Sequence, residues 1–448
     1  MREFWNRYSE HYRRNLALAI PVVLSQVGQV VVQLADNAMV GRLGAQPLAA
    51  ASFGGSVFFI LFIFAVGISL GITPLVGAMY ARGEHSSSAS CLQNSIVLYT
   101  LLGVVLFAVQ MAIVPFMKQM GQTPEVVEMA IPYYRYLVWS VIPFMLFASF
   151  KQFLEGVGNT KVAMVIIITA NLANIFLNWV FIYGNLGAEA MGTAGAGLAT
   201  LISRIMMPLM ILFHFWRKDS LRRYLRMFDR ARFSRQGVKM LLTVGLPIAM
   251  QMMMEGTAFA LSSIMMGWIG AVELAANQIA MTLSNVAFMV VLGISSATTI
   301  RVSHEYGVGN YTDLNRAGNA SYHIGWIWNS FTALTFILFR HRLPLFFTSD
   351  PQVVDTAAML LVCAGIFQIF DGMQSISVGV LRGMRDVNTV MGIAFLSYLV
   401  INLPLGYLLA FTLGVGPVGL WIGFIGGLAV AAALLYTRYR RLLARHRP

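Results

Sequence analysis

Apolar residues run along this chain in long stretches that short polar segments separate. An α-helix crosses the hydrocarbon core of a bilayer with about 20 apolar residues, and these stretches are long enough to do so. The pattern predicts an all-α, multi-pass membrane protein with twelve membrane-spanning helices. The predicted spans are 16–39, 50–78, 91–117, 128–150, 162–184, 194–216, 240–263, 275–300, 317–339, 356–380, 391–413 and 416–437.

The second half of the chain repeats the first. A constant shift of 226 positions lays "MVGRLGAQPLAAAS" (39–52) over "MMGWIGAVELAANQ" (265–278), and near the end of each half "LEGVGNTK" (154–161) matches "LRGMRDVN" (381–388). Six is an even number of spans, so both halves enter the membrane from the same side. We therefore predict two pseudo-symmetric lobes built as parallel repeats, an architecture in which transporters place substrate between the halves. The predicted parts are a six-helix lobe (1–216), a basic linker (217–239), a second six-helix lobe (240–437) and a basic tail (438–448).

Three acidic residues lie inside predicted spans: Asp36, Glu255 and Asp371. A carboxylate at the bilayer centre costs about 2.5–3.5 kcal/mol on insertion scales, so such residues are candidates for function. Each continues a stripe of amide side chains at helical spacing, which predicts polar cavities inside the lobes. The alternative for the amides is that they only hold helices together by hydrogen bonds. The candidate cavity residues are Gln33, Asn174, Asn178, Gln251, Gln368 and Gln374.

Composition and charge exclude several classes of protein. The chain is 58% hydrophobic and only 11% charged, which a soluble protein of 448 residues cannot accommodate. The net charge of +13 is explained by the predicted membrane topology, because 25 of the 31 lysines and arginines fall in segments on the same predicted side of the membrane. By the positive-inside rule that side is cytoplasmic and holds both termini, so the charge does not indicate a nucleic-acid partner. The two cysteines provide no disulfide or metal framework.

The repeated motif "ADNAMVGRLGAQPLAAAS", the loop "LEGVGNTK" and the segment "NLANIFLNWVFIYG" (171–184) resemble the multidrug and toxic compound extrusion (MATE) transporters, in particular the NorM-like bacterial branch. The resemblance covers residues 10–437. It implies export of cationic, amphipathic drugs or dyes by antiport with Na⁺ or H⁺. It also implies that Glu255 and Asp371 belong to a cation site of the C-terminal lobe, and that Asp36, Asn174 and Asn178 form a polar cluster in the N-terminal lobe. Both loops lack the proline that often follows in this family.

We therefore expect a secondary active transporter, monomeric, in the bacterial cytoplasmic (inner) membrane, with Na⁺ or H⁺ as coupling ion and no cofactor. The resemblance favours Na⁺ at Glu255 and Asp371, while a proton at Asp36 remains open. ATP-driven pumping is not indicated because the sequence has no Gly-Lys pair and hence no P-loop. An enzyme is not indicated either, because "SHEYG" (303–307) lacks a second histidine at helical spacing. A flippase for a lipid-linked precursor is the alternative function. A flippase would need a strongly cationic cavity to bind phosphate. Because Arg135 and Arg204 lie inside predicted spans, this alternative is retained.

Overall fold

The computed structural model describes residues 2–229 and 232–445, and these residues are almost entirely helical. Parts of the predicted linker and tail, at 230–231 and 446–448, lie outside the described residues. The helices of the first half are α1 (Arg2–Gly41), α2 (Ala45–Ser69), α3 (Ile72–Ala81), α4 (His85–Ile113), α5 (Pro124–Trp139), α6 (Val141–Gly156), α7 (Thr160–Tyr183), α8 (Thr193–Arg217) and α9 (Asp219–Arg226). Those of the second half are α10 (Arg235–Ile269), α11 (Ala271–Val308), α12 (Tyr311–Leu338), α13 (Pro351–Gly383), α14 (Val387–Ala394), α15 (Leu403–Tyr407) and α16 (Pro417–Arg445).

These helices confirm the predicted membrane architecture. Within the described residues, 11 helical regions are long and apolar enough to cross a bilayer. The remaining predicted span, 317–339, lies on α12, which is 28 residues long. Polar residues lower the hydropathy of α12, but Ser321 and Asn329 are buried at 0% and 1% exposure. Because these polar side chains face the protein interior, α12 is compatible with the twelfth span.

Two predicted spans of the first half are not single helices. The span 50–78 divides at Leu70 and Gly71 into α2 and α3, and the span 128–150 divides at Ser140 into α5 and α6. Pro143 follows this break by three residues and has no backbone N–H to donate to the carbonyl of Trp139, which interrupts the helical ladder. The hydroxyl of Ser140 donates to the carbonyl of Leu137. Their counterparts in the second half, α11 and α13, run without a break over 38 and 33 residues.

The predicted span 391–413 also departs from a regular α-helix. Two π-helical segments, Phe395–Asn402 and Leu408–Thr412, flank the short helix α15. A π-helical turn inserts one extra residue and so rotates the side chains that follow it, which is why such turns are frequent at functional sites.

The chain forms two compact units. The N-terminal unit is Leu24–Ala249, and the C-terminal unit combines Met1–Val23 with Met250–Pro448. The boundaries between the units therefore fall inside α1 and α10, and each unit contains a segment of the helix that opens the other half of the sequence.

The same close helix contact occurs in both units. In the N-terminal unit a Cβ atom on Gly67 would lie 2.5 Å from Cα of Ala249, so α2 and α10 touch at backbone distance. In the C-terminal unit a Cβ atom on Gly293 would lie 2.3 Å from Cγ2 of Val23. The shift of 226 pairs Gly67 with Gly293 and Val23 with Ala249. The sequence repeat is thus also a repeat of three-dimensional contacts, as the prediction of parallel repeats requires.

Many large apolar side chains are exposed along the long helices. Ile60, Leu172 and Ile327 are 62%, 64% and 73% exposed, each in the middle of a predicted span. Exposed apolar surface on this scale would be a liability in water, and lipid tails cover it in a bilayer.

Candidate ion and substrate sites

The first site lies in the C-terminal unit, where α10 contributes Glu255 and α13 contributes Asp371. Asp371 is only 4% exposed, and Glu255 is partly buried. The two carboxylates are close enough for the charge of Glu255 to act on Asp371. The phenol of Tyr398, from the first π-helical segment, lies near the carboxylate of Glu255, and its oxygen is buried without a hydrogen-bond partner among the described residues. Two acids that are far apart in the sequence therefore act on each other, and we call them and their polar neighbours the C-terminal cluster (Gln251, Glu255, Gln368, Asp371 and Tyr398).

A partly buried arginine is connected to this cluster through one amide. Nε2 of Gln251 donates to Oε2 of Glu255 over 2.9 Å. The guanidinium of Arg382, at the end of α13, donates to Oε1 of the same Gln251. Gln251 is 2% exposed, so both of its hydrogen bonds are made inside the protein. Because its two amide ends face opposite charges, Gln251 fixes Arg382 near Glu255 without a direct ion pair.

Asp371 and Gln368 present free oxygen atoms on one face of α13. Gln368 uses its Nε2 to donate to the carbonyl of Ser284 on α11 over 3.0 Å. Within the part of the chain that the structure describes, Oε1 of Gln368 and Oδ1 of Asp371 are buried and have no hydrogen-bond partner. Most buried polar atoms are paired, so two unpaired acceptors three residues apart are suited to receive a cation or a proton. Gln374 differs, because its oxygen already accepts from Ser375 over 3.3 Å.

The second site lies in the N-terminal unit around Asp36 of α1. Nδ2 of Asn178, on α7, donates to Oδ1 of Asp36. With its amide oriented to satisfy its neighbours, Asn174 donates to the same oxygen over 3.1 Å and accepts from the backbone nitrogen of Thr200 over 3.2 Å. Asn174 and Asn178 are 4% and 0% exposed. These contacts define the N-terminal cluster (Asp36, Asn174, Asn178 and Thr200), which spans α1, α7 and α8.

Gln33 does not join the N-terminal cluster. Its side chain is exposed, and among the described residues it makes no hydrogen bond to Asp36, Asn174 or Asn178. The helical stripe on α1 therefore turns one member outward. Gln33 and Asp36 are three residues apart, and three residues of an α-helix turn through about 300° rather than a full turn. The two side chains therefore point in directions that differ by about 60°.

Arg204 lies beside the N-terminal cluster, inside an aromatic cage. Its guanidinium carbon is 5.4 Å from the ring centre of Phe58, 4.5 Å from that of Phe62 and 5.5 Å from that of Phe144. Its Nη1 donates to Oγ of Ser140 over 2.8 Å. The charge of Arg204 also acts on Asp36, although the two residues form no ion pair in the described structure.

Sequence reasoning missed Arg382 and Tyr398 as members of these sites, and it missed the surroundings of Arg204. Arg382 is assigned from the sequence to a cytoplasmic segment, since it immediately follows a predicted span. Tyr398 has no signal at all, because its direction depends on a π-helical turn. Arg204 is visible as an arginine within a span, but its aromatic neighbours come from two other helices.

No group of three or more His, Cys, Asp or Glu residues in the described ranges is placed to hold a metal ion. A hard cation in the C-terminal cluster would therefore need amide or backbone oxygens besides the two carboxylates. Oε1 of Gln368 is such an oxygen.

Comparison with known proteins identifies the family. A family model described as MatE matches residues 21–180 and 247–408, one block in each half of the chain. The chain belongs to the MATE family. This confirms the predicted resemblance, and it places the protein among transporters rather than enzymes.

Relatives of this MATE chain are similar over nearly the whole length. A probable multidrug resistance protein NorM from Mesorhizobium japonicum is 36% identical over 444 residues, covering 97% of this chain and 95% of the relative. The multidrug resistance protein MdtK from Yersinia pseudotuberculosis is 34% identical over 441 residues, covering 97% and 96%. A solved structure of an outward-facing multidrug resistance MATE family transporter matches with a TM-score of 0.89 at 23% identity, covering 97% of this chain and 96% of that one. This last similarity confirms the fold.

Proposed function

We propose that this MATE protein is a secondary active multidrug efflux transporter that exports cationic, amphipathic compounds by antiport with Na⁺ or H⁺. The observation that carries the proposal is the pair of acid clusters inside membrane-spanning helices, one in each unit. The relatives named as multidrug resistance proteins support the same function. An intramembrane carboxylate is costly and is retained mainly where ions or substrates pass.

In the proposed mechanism the C-terminal cluster binds an exchangeable cation. Asp371 and Gln368 offer unpaired buried oxygens, and Glu255 adds a second negative charge. A Na⁺ ion, a proton and an organic cation all lower the electrostatic cost of these acids, so they compete for one site. Exchange follows if each ligand has a different affinity for the two facings of the transporter, since only a difference in affinity shifts the equilibrium between states.

The N-terminal cluster has a different character. Asp36 accepts two amide hydrogen bonds, which stabilise the ionised carboxylate. The nearby positive charge of Arg204 acts in the same direction. Because these groups oppose protonation of Asp36, we propose that Na⁺ binds preferentially at Glu255 and Asp371, and that Asp36 is the rival site, for a proton or a polar substrate.

We further propose that the protein works as a monomer in the bacterial cytoplasmic membrane, with both termini in the cytoplasm. Apart from the coupling ion, the transport mechanism needs no cofactor. One elementary charge moving through 100 mV supplies about 2.3 kcal/mol, enough for a gradient of more than tenfold.

Purified protein in lipid vesicles tests the function directly. We expect vesicles loaded with ethidium to release it when an inward ion gradient is imposed, and empty vesicles of the same lipid to retain it. Translocation of a lipid-linked sugar phosphate in the same preparation, without ethidium release, would instead establish the flippase alternative. The structure favours efflux, because Arg204 is enclosed by aromatic rings and Arg135 is exposed, so neither builds a strongly cationic phosphate site.

A further inference from the structure

Arg204 occupies the kind of environment that proteins use to bind organic cations. Three aromatic rings surround its guanidinium, and two pairs of these rings are in contact, Phe58 with Phe62 at 4.9 Å and Phe62 with Phe144 at 4.6 Å between centres. Phe58 and Phe62 are 4% and 9% exposed. Aromatic faces in a desolvated setting attract cations such as guanidinium and quaternary ammonium groups. The cage is therefore a cation site whose occupant is covalently attached to α8.

The internal repeat relates this cage to the C-terminal cluster. With the shift of 227 that aligns the "LEGVGNTK" loops, Phe144 corresponds to Asp371, and with the shift of 226 Phe58 corresponds to Ser284, whose carbonyl accepts from Gln368. Arg204 itself corresponds to Val430 or Ala431, so the C-terminal unit has no arginine there. The position that holds an acid with an unpaired oxygen in the C-terminal unit thus holds Phe144, one wall of the cage around Arg204, in the N-terminal unit.

We propose that Arg204 is a resident cation of the N-terminal unit, which fills the cage of Phe58, Phe62 and Phe144 in place of a mobile ligand. Removal of its side chain opens a binding site for a small organic cation. The resident charge of Arg204 also acts on the carboxylate of Asp36. This inference goes beyond the proposed function and does not require that the protein export anything.

The test uses purified full-length protein and ethylguanidinium, which matches the missing end of the arginine side chain. Thermal unfolding is measured as the ligand concentration rises, for wild type, Arg204→Ala and Arg135→Ala. Arg135→Ala is the matched control, because it removes an exposed arginine from the neighbouring helix α5. We expect a saturable rise in melting temperature for Arg204→Ala only, since a ligand stabilises the state that binds it.

A second variant connects this binding to the rings. In Arg204→Ala/Phe62→Ala the apparent affinity for ethylguanidinium should fall about tenfold, the loss expected for one desolvated cation–π contact. If Arg204→Ala does not fold, Arg204→Gln replaces it. Ethylguanidinium added during purification of either variant should then restore a monodisperse protein.

A response of Arg204→Ala no larger than that of wild type or Arg135→Ala overturns the proposal, as does failure of both Arg204 variants to respond. An unchanged affinity in the Phe62 double variant also overturns it. Export of ethidium by wild-type vesicles is measured separately. Absence of ethidium export would contradict the proposed function. It would not change the conclusion drawn from ethylguanidinium binding to the cage.

Discussion

The carboxylates of Glu255 and Asp371 differ in how many of their oxygen atoms have neighbours in the protein that can bind them. Glu255 has the amide of Gln251 and the phenol of Tyr398 as neighbours. Asp371 keeps one buried oxygen without a partner in the described structure. A purely structural pair of acids would be expected to have its hydrogen bonds completed by the protein. The incomplete hydrogen bonding of Asp371 is what we expect of a site where a ligand binds and is then released.

Substitution of either acid by its amide should therefore abolish coupling without loss of the fold. We expect Glu255→Gln and Asp371→Asn each to lower the initial rate of ethidium efflux at least about tenfold, since the lost interaction with a charged group is worth about 1.5–3 kcal/mol. Membrane expression should be unchanged, because a buried charge is removed. The control is Asp355→Asn, an exposed acid on the same helix α13. Near-normal efflux by either variant would remove that acid from the coupling site.

Gln251 tests the indirect connection between Arg382 and Glu255. Gln251→Leu keeps the shape of the side chain but removes both hydrogen bonds, to Glu255 and from Arg382. Leaving buried polar groups unpaired costs about 1–3 kcal/mol, so thermal unfolding of the purified protein should shift to lower temperature. Gln278→Leu, at an exposed position of α11, is the matched control. Equal melting temperatures for the two variants would contradict the bridging role.

At the scale of residues, the sequence could identify the acids but not their surroundings. Asp36, Glu255 and Asp371 stand out because a carboxylate in an apolar span is costly wherever it points. Gln33 shares a stripe with Asp36 but is exposed, since helical spacing gives a face only approximately. Arg382 was missed because a long side chain at the end of a span can reach back into the protein.

At the scale of helices, the repeat fixes where the backbones touch. Thr73 donates to the carbonyl of Gln152 over 3.2 Å, and its counterpart Thr299 donates to the carbonyl of Gly379 over 2.9 Å. Both donors lie in the second predicted span of their half, Thr73 on α3 and Thr299 on α11. Small residues allow this close approach, as is common between helices in membranes. The length and order of the helices were predictable from hydropathy, because a bilayer sets the length of an apolar span.

The contact at Gly67 should be intolerant of even one added carbon. Gly67→Ala places Cβ 2.5 Å from Cα of Ala249, so α2 and α10 must separate. Overpacking of this kind costs about 1–3 kcal/mol, and the melting temperature should fall accordingly. Gly392→Ala on α14 is the control, because nothing lies within 4 Å of its Cβ. A Gly67→Ala protein as stable as Gly392→Ala would show that this contact does not constrain the helices.

Local irregularities of the helices were only partly predictable. The break at Ser140 precedes Pro143, a helix-breaking residue that is visible in the sequence, whereas the π-helical segment Phe395–Asn402 lies in an apolar run whose periodicity does not show it. Periodicity averages over several turns and does not detect one extra residue in one turn. Tyr398 reaches Glu255 from such a segment, so part of the site depends on a feature that the sequence pattern does not show.

At the scale of the whole molecule, the distribution of basic residues predicts the orientation in the membrane. Arg226 at the end of α9 is exposed, and it belongs to the most basic connecting segment of the chain. By the positive-inside rule this segment is cytoplasmic. In Arg226→Cys, a membrane-impermeant thiol reagent added to intact cells should not react, whereas it should react in inverted vesicles. Both native cysteines are first replaced by serine to remove their background. Labelling from outside intact cells would show that this segment is extracytoplasmic and that the predicted orientation is wrong.

The coupling ion is also a property of the whole molecule, because the two clusters are chemically different. A hard cation asks for several oxygen ligands, and the C-terminal cluster can supply two carboxylates and the free oxygen of Gln368. A proton needs one carboxylate, and Asp36 can bind it, although two amide hydrogen bonds and the charge of Arg204 oppose this.

We therefore expect an inward Na⁺ gradient to drive ethidium efflux from vesicles more strongly than a pH gradient of equal size, at a fixed membrane potential. Asp371→Asn should remove the Na⁺ dependence, because it deletes the charge beside the unpaired oxygens of the C-terminal cluster. Asp36→Asn should leave the Na⁺ dependence in place and alter only a response to pH. Efflux that ignores Na⁺ but follows pH would contradict this assignment and move the coupling role to Asp36. If both gradients drive efflux and each variant removes one response, the two units bind different ions, and the repeat has diverged into two coupling sites.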